Sequence, residues 1–334
     1  MRVLFIGGTG EISLSCVEAA VRSGHQVTLY NRGKTFEAPP SKAAQICGDF
    51  RDEKNYAKLA RDDFDVVCQF IAFEPQDIER DIRLFADHCG QYIFISTASV
   101  YKKPLHGPLV DEEAPLGNPY WAYSRHKQAC EALLLAAHAS RDLPVTIVRP
   151  SHTYRTRLPS VLVPGDHLAW RLLNGKPVIV PGDGEAVWTL THADDFARAF
   201  IALFGLEAAL GERFNITDAV GHTWNRIIKT VAAAVGVAPD LTPVLTQTLV
   251  RYEPAWEGPL LGDKSNSLIF DTRKIASISQ EWRCEIDLEA GVELAWRYAS
   301  TRLAEGYAPD PALDALIDRI VQTSRRERPA EANP

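Results

Sequence analysis

An α/β fold, a doubly wound parallel sheet with a smaller α+β lobe on its C-terminal side, is what three features of this sequence predict. The first is the opening, where a short apolar run from Val3 to Ile6 enters Gly7, Gly8 and Gly10 and continues as an apolar-periodic segment from Ile12 to Val21. Strand, glycine turn, helix is the order that brings backbone amides and a positive helix end up to a pyrophosphate. The second is the segment from Gly24 to Asn31, a further strand at βαβ distance. It ends about 20 residues beyond the turn, where a ribose-reading residue is expected. The third is the repetition of strand-like and helix-like segments through the first half, which places helices on both faces of a parallel sheet, the Rossmann type of arrangement.

Each element has a local reason. Val3–Ile6, Gln26–Tyr30, Gln45–Cys47, Asp65–Ile71, Tyr92–Ser96 and Val145–Arg149 are short, mainly apolar runs and read as strands. Ser13–Arg22, Glu53–Ala60, Gln76–His88 and Ala122–His138 between them carry helical patterns. Pro39-Pro40 and the stretch from Pro104 to Pro119 read as loops. Beyond residue 150 the pattern is less regular, with helices at Pro164–Asn174, Ala193–Phe204, Trp224–Val235 and Leu288–Arg302 and strands at Val178–Val180, Trp188–Leu190 and Arg213–Ile216.

The domain expectation is a nucleotide-binding unit over 1–150, rejoined by a segment around 188–204, and a discontinuous substrate lobe over 151–308. Residues 309–334 read as a C-terminal tail, amphipathic from Leu313 to Val321 and disordered from Ser324 to Pro334.

Composition narrows the function. A chain of 334 residues, 46% hydrophobic and 24% charged, is ordinary for a globular protein. Its net charge of −7 argues against nucleic acid or an anionic membrane surface as the main partner. No apolar run is long enough to span a bilayer, and no signal-peptide core precedes the first strand. The six cysteines are scattered, without disulfide or zinc spacing, and the nine histidines show no paired metal motif. A cytoplasmic protein with buried thiols and no metal is expected.

The chemistry-bearing residues fall at the ends of strands. Gly7 and Gly10, with Glu11 and Ile12 opening the helix, are the candidates for the phosphate cradle. Asn31-Arg32 closes the second strand, where an acidic residue would take the two ribose hydroxyls of NAD and repel a 2′-phosphate. A neutral amide and a guanidinium favour NADP over NAD, with a solvated surface arginine as the competing reading. Tyr123 and Lys127 stand four apart on a helix and share a face, so the ammonium is placed to lower the phenol pKa for acid–base work. Upstream, Thr97 sits at the carboxyl end of the fifth strand, where a hydroxyl can bond the reacting oxygen, with Ser99 the alternative.

Gly7-Gly-Thr-Gly10, Ser96-Thr-Ala-Ser-Val-Tyr101, Tyr123xxxLys127, Arg149-Pro150 and His192-Ala-Asp-Asp195 occur in that order, and together resemble the extended short-chain dehydrogenase/reductases, the sugar-nucleotide epimerase/dehydratase family. The resemblance spans roughly Met1 to Ala304. It implies that Asp49 and Phe50 flank an adenine, that Ala72 and Lys127 meet the nicotinamide ribose, and that Pro150 and the residues after it meet the nicotinamide end. It also implies Tyr123 as acid/base with Thr97 as its partner, and a homodimer through the Tyr123–Lys127 helix.

Departures from the family pattern narrow the reaction. Ser13 replaces the third glycine of the turn. Ala98-Ser99 stands where dehydratases resemble one another in an Asp-Glu pair and where decarboxylases carry a glutamate, so neither reaction is expected. Trp188 and Leu261 stand near where arginines bind the diphosphate of a nucleotide sugar. Arg155, Arg157 and Lys264 are the substitute cations. Tyr154, Trp188, Tyr252 and Trp256 offer a stacking surface or core, and Tyr101 faces the substrate or packs in the core. The expectation is an NAD(P)-dependent oxidoreductase or epimerase acting on a secondary alcohol or ketone of a sugar-like small molecule. An NAD-retaining nucleotide-sugar 4-epimerase and a catalytically silent nucleotide- or RNA-binding homologue are the alternatives.

Overall fold

A computed structural model describes residues 1–34, 37–105 and 107–327. The strands are β1 (Arg2–Ile6), β2 (Gln26–Asn31), β3 (Ala44–Cys47), β4 (Val66–Gln69), β5 (Tyr92–Ile95), β6 (Leu109–Val110) and β7 (Val145–Pro150). They continue with β8 (His152–Tyr154), β9 (Val178–Pro181), β10 (Val187–His192), β11 (Arg213–Ile216), β12 (Gly221–Thr223), β13 (Leu241–Val244) and β14 (Ile269–Phe270). Seven of them form one sheet in the order β3-β2-β1-β4-β5-β7-β11, every neighbouring pair parallel. Chain direction across the sheet reverses between β1 and β4, which opens a crevice at their carboxyl ends.

Burial on both faces explains the near-continuous apolar strands. Along β1, Val3 and Phe5 enter the core under helices Ser13–Arg22 and Ala193–Ala202, while Leu4 and Ile6 enter the one under Pro75–Phe85 and Ala122–Ala139. Only β3, the short edge strand, is exposed along its length. Helix Pro75–Phe85 starts at a capping box of Glu74 and Asp77, and Trp224–Val235 runs from a Thr223 cap to left-handed Gly236.

The smaller lobe holds a β8-β10-β12 sheet and the pairs β9–β13 and β6–β14. Around them pack helices Gly165–Leu173, Trp224–Val235, Leu288–Ala304 and Pro311–Glu327, over a core that includes Trp188, Trp224, Val292 and Ile317. Among the described residues no helix is long and apolar enough to cross a membrane.

The structure differs from the sequence expectation in three places. The stretch that rejoins the main unit is Ala193–Ile216, helix plus β11, whereas β10 belongs to the small lobe. Phe196, Phe200 and Phe214 pull it onto the large sheet. The boundary near 150 is also crossed in both directions, since Tyr101 and Val110 enter the small-lobe core while Ile275 and Trp282 pack under the large sheet. The C-terminal segment is a helix to Glu327, seated by Ile317, Ile320 and Val321 and by ion pairs from buried Arg171 to Asp314 and Asp318. Of the expected tail, residues 328–334 lie outside the described residues.

Candidate active site

Gly7 has a φ of 90°, and a Cβ there would meet the Ile71 side chain at 2.4 Å, so the turn needs glycine twice over. Ser13, in the place of a third glycine, closes the turn: its Oγ accepts from the Gly10 amide at 2.8 Å and donates to the Gly7 carbonyl at 2.9 Å. The Glu11 side chain turns away from the cradle. Its carboxylate accepts from the amides of Arg155, Thr156 and Arg157 at 3.1, 2.9 and 3.2 Å and from Thr156 Oγ1 at 2.6 Å, tying the turn to the start of the small lobe. Only its backbone is left for a cofactor.

A cleft of about 490 Å³ runs from this turn to the end of β2, lined by Gly7, Gly10, Asn31, Arg32, Asp49 and Phe50, and also by Lys34 and Arg51. Asn31 Oδ1 accepts from the Gly33 amide at 2.7 Å, which fixes the amide so that the buried Nδ2 donor has no partner among the described residues. The rim therefore presents donors and cations, with Asp49 its one carboxylate. Phe50 is held in place by Arg80, whose guanidinium lies 4.1 Å from the ring centroid and donates to the Phe50 carbonyl at 3.0 Å.

At the end of β4, Gln69 Oε1 takes the amides of Ile71 and Ala72 at 2.9 and 3.1 Å, while its Nε2 donates at 2.6 Å to fully buried Asp81. Lys127 is 1% exposed and donates to the carbonyls of Ala72 (2.8 Å) and Ile95 (2.7 Å). It thus pins the β4 loop against the end of β5. Burial lowers its pKa to about 7.

The second cleft, about 350 Å³, gathers Ile12, Thr97, Ser99, Tyr123, Pro150, Trp188 and Lys264, with Trp121, His152, Thr153 and Asp263. Burial pushes the Tyr123 phenol up to about 12; a hydrogen bond from Thr97 opposes this, and the Asp263 charge adds to it. Burial is thus the largest influence on this phenol, while the Lys127 ammonium donates to the carbonyls of Ala72 and Ile95. Behind Thr97, Oγ1 lies 3.1 Å from Ser99 Oγ, which lies 2.6 Å from Ser124 Oγ. Asn118 Nδ2 anchors this row through the carbonyls of Ser99 (2.8 Å) and Gly262 (2.6 Å).

Six residues weighed as substrate groups are placed elsewhere. Arg155 pairs with Glu37 at 2.8 Å and Glu18 at 3.3 Å, and Arg157 is largely exposed beside Glu11 at 3.8 Å; neither lines the cleft. The acidic residues of the opposite half satisfy them instead. Tyr101 is fully buried, donating to Asn215 at 2.7 Å and accepting from Arg149 at 3.0 Å, so it is a core residue. Tyr154 packs edge-on to His192, and Tyr252 and Trp256 pack on the lobe core. His152 and Thr153 belong to the segment after Pro150 that the resemblance implied, whereas Lys34, Arg51, Trp121 and Asp263 escaped the sequence reading. Only Arg51, next to Phe50 in the chain, had a local signal.

A family model described as the NAD dependent epimerase/dehydratase family matches residues 3–217. The chain is 30% identical over 311 residues to the chloroplast stem-loop binding protein of 41 kDa b of Arabidopsis thaliana, covering 87% of this chain and 77% of that one. It is 24% identical over 239 residues to the 2'-dehydrokanamycin reductase of Streptomyces kanamyceticus, covering 71% and 67%. Among solved structures, the Thermus thermophilus UDP-glucose 4-epimerase complex with NAD superposes with a TM-score of 0.72 at 22% identity, over 90% of this chain and 99% of that one. The last likeness is one of fold.

Proposed function

The chain belongs to the NAD-dependent epimerase/dehydratase family, and from that membership we propose that it is an NADP(H)-dependent oxidoreductase interconverting a secondary alcohol and a ketone of a sugar-like small molecule. The observation that carries the reading is the meeting of Thr97 and Tyr123 in one cleft, beside Ile12 and Pro150. The left-handed glycine at the turn, the unpartnered Asn31 donor and the cations Arg32, Lys34 and Arg51 fit a dinucleotide carrying a 2′-phosphate.

When bound, the nicotinamide supplies or accepts the hydride. Tyr123 passes the proton to or from the reacting oxygen; raised to about 12, it is held protonated at neutral pH, the form a reduction needs. Thr97 donates a hydrogen bond to the same oxygen, and the Ser99–Ser124 row sets its orientation. Lys127 keeps the β4 loop and the end of β5 together, and its remaining N–H would serve to hold the cofactor ribose. Dehydration and decarboxylation lack a carboxylate at Ala98-Ser99.

The test is the nucleotide itself. Protein that purifies empty and binds NADPH at least about tenfold more tightly than NADH fits two or more charge-assisted contacts to the 2′-phosphate. Stoichiometric NAD retained through purification overturns the NADP assignment and favours a 4-epimerase that regenerates its cofactor each turnover. RNA binding is a second reading, favoured by the name of the Arabidopsis relative. Binding of stem-loop RNA that is unaffected by NADPH and by Tyr123→Phe would select it over the enzyme.

A further inference from the structure

No residue of helix Pro75–Phe85 lines the cleft that runs from the glycine turn to the end of β2, but three of them hold groups that do. Asp77 accepts from the amides of Phe73 and Glu74 at 3.1 and 3.2 Å, which fixes the chain where Phe73 enters the cleft. Arg80 lies against the Phe50 and Tyr56 rings, 4.1 and 4.2 Å from their centroids, and donates to the Phe50 carbonyl. Asp81 is fully buried behind these groups, and its Oδ2 accepts from Gln69 Nε2 and from the Tyr92 hydroxyl, each at 2.6 Å. Its Oδ1 has no hydrogen-bond partner among the described residues and stands 3.6 Å from Arg80 Nε.

An ionised carboxylate only accepts, so Tyr92 and the Gln69 amide must both donate to it. That decides which way Gln69 is turned. With Nε2 committed to Asp81, Oε1 is the end that meets the Ile71 and Ala72 amides, at 2.9 and 3.1 Å. Turned over, the same side chain would set an NH2 group against two N–H donors, and the Ile71 part of the cleft would lose its hold. The charge acts in a second direction. Arg80, its side chain 13% exposed, is flanked by Asp81 on one side and by Asp77, 3.9 Å from Nη2, on the other. Paired in this way the guanidinium stays over the Phe50 ring and on its carbonyl.

We propose that Asp81, which itself lines neither cleft, is a positioning residue for the dinucleotide: as a carboxylate it turns Gln69 for the nicotinamide-ribose end and holds Arg80, and through it Phe50, for the adenine end. The inference rests on the oxidoreductase reading above, through the assignment of Ala72 to the ribose and Phe50 to the adenine. Burial raises the Asp81 pKa to about 6, against the contacts of Tyr92, Gln69, Arg80 and Tyr56. Tyr92 faces it from β5 and Tyr56 from helix Glu53–Tyr56, and burial pushes both phenols well up, so both stay neutral. Arg80 is the charged group in contact with it, and Asp77 lies beyond Arg80. The hold on the cofactor therefore weakens as pH falls through about 6.

Titration of the full-length protein with NADP⁺, NAD⁺ and adenosine 2′,5′-bisphosphate, followed by tryptophan fluorescence, tests this. NAD⁺ is the probe for pH, because a phosphate monoester such as the 2′-phosphate itself titrates near pH 6. From about pH 6.5 to about pH 5, where Lys127 is already mostly charged, NAD⁺ affinity of the unaltered protein should fall roughly fourfold. Asp81→Asn should bind both dinucleotides about tenfold more weakly at neutral pH, about the weight of one hydrogen bond, and should lose the fall toward pH 5. It should also weaken NADP⁺ by a larger factor than adenosine 2′,5′-bisphosphate, since it acts on both ends, whereas Arg80→Met should weaken the two by the same factor. A flat NAD⁺ profile in the unaltered protein, which needs no variant to fold, overturns the role of Asp81. So does an Asp81→Asn variant with unchanged affinity, with the original pH profile, or with equal losses for NADP⁺ and the half-nucleotide. Failure of the unaltered protein to bind either dinucleotide at any pH is the separate result that overturns the oxidoreductase reading.

Discussion

Removing Arg149 should destabilise the protein more than any surface change, because its charge is what makes a buried carboxylate tolerable. Arg149 and Glu131 are each 1% exposed and meet through two bonds, Nε to Oε1 at 3.0 Å and Nη2 to Oε2 at 2.6 Å. Nη1 also donates to the Tyr101 hydroxyl and the Glu112 carbonyl, both at 3.0 Å, and Ser96 Oγ donates to Glu131 at 2.5 Å. Arg149→Met strips Glu131 of every donor but Ser96, and breaking one side of a buried pair costs about 3–5 kcal/mol.

Arg149→Met with Glu131→Leu removes both charges. The remaining loss is then that of the Ser96, Tyr101 and Glu112 groups left short of partners, about 1–3 kcal/mol. The double variant should therefore be about 2 kcal/mol more stable than Arg149→Met alone, because it leaves no buried charge without its partner. Urea denaturation followed by both tryptophan fluorescence and circular dichroism measures it and checks that a single transition is being followed. A loss under about 1 kcal/mol for Arg149→Met, or a double variant as unstable as the sum of the singles, refutes the reasoning. Ser96 and Arg149 directly precede Thr97 and Pro150 in the chain, so the network also bears on the cleft.

Tyr123→Phe should lower turnover by roughly 10²- to 10⁴-fold, the usual weight of a positioned acid, with NADPH affinity unchanged by fluorescence titration; retained turnover removes Tyr123 from the chemistry. Lys127 is charged below about pH 7 and neutral above it, so kcat/KM for ketone reduction should fall as pH rises through neutrality while Tyr123 stays protonated. A profile flat from pH 6 to about 9 sinks this assignment. Ser99→Ala removes the hydroxyl that sits between Thr97 and Ser124, and kcat should drop roughly tenfold with little change in KM; an effect confined to KM would mean that Ser99 acts in binding.

Local patterns in the chain determined the sheet, its glycine turn and the helical pairing of Tyr123 with Lys127. Each needs only residues a few positions apart: apolar runs buried on both faces, glycine at a left-handed turn, and a face shared by residues four apart. What each side chain touches was decided by the tertiary structure. Glu11 and Arg155 lie 144 residues apart in sequence, and their contact turned a candidate cofactor residue and a candidate substrate cation into a clasp between the two halves. Tyr101 found Asn215 across 114 residues and went to the core. Asp263, unremarked in its own stretch, acquired a place in the site only because the fold buries it in the wall of the second cleft. A charged side chain takes its pKa, its partners and its exposure from groups the chain brings in from elsewhere, and those are the terms that decide a site.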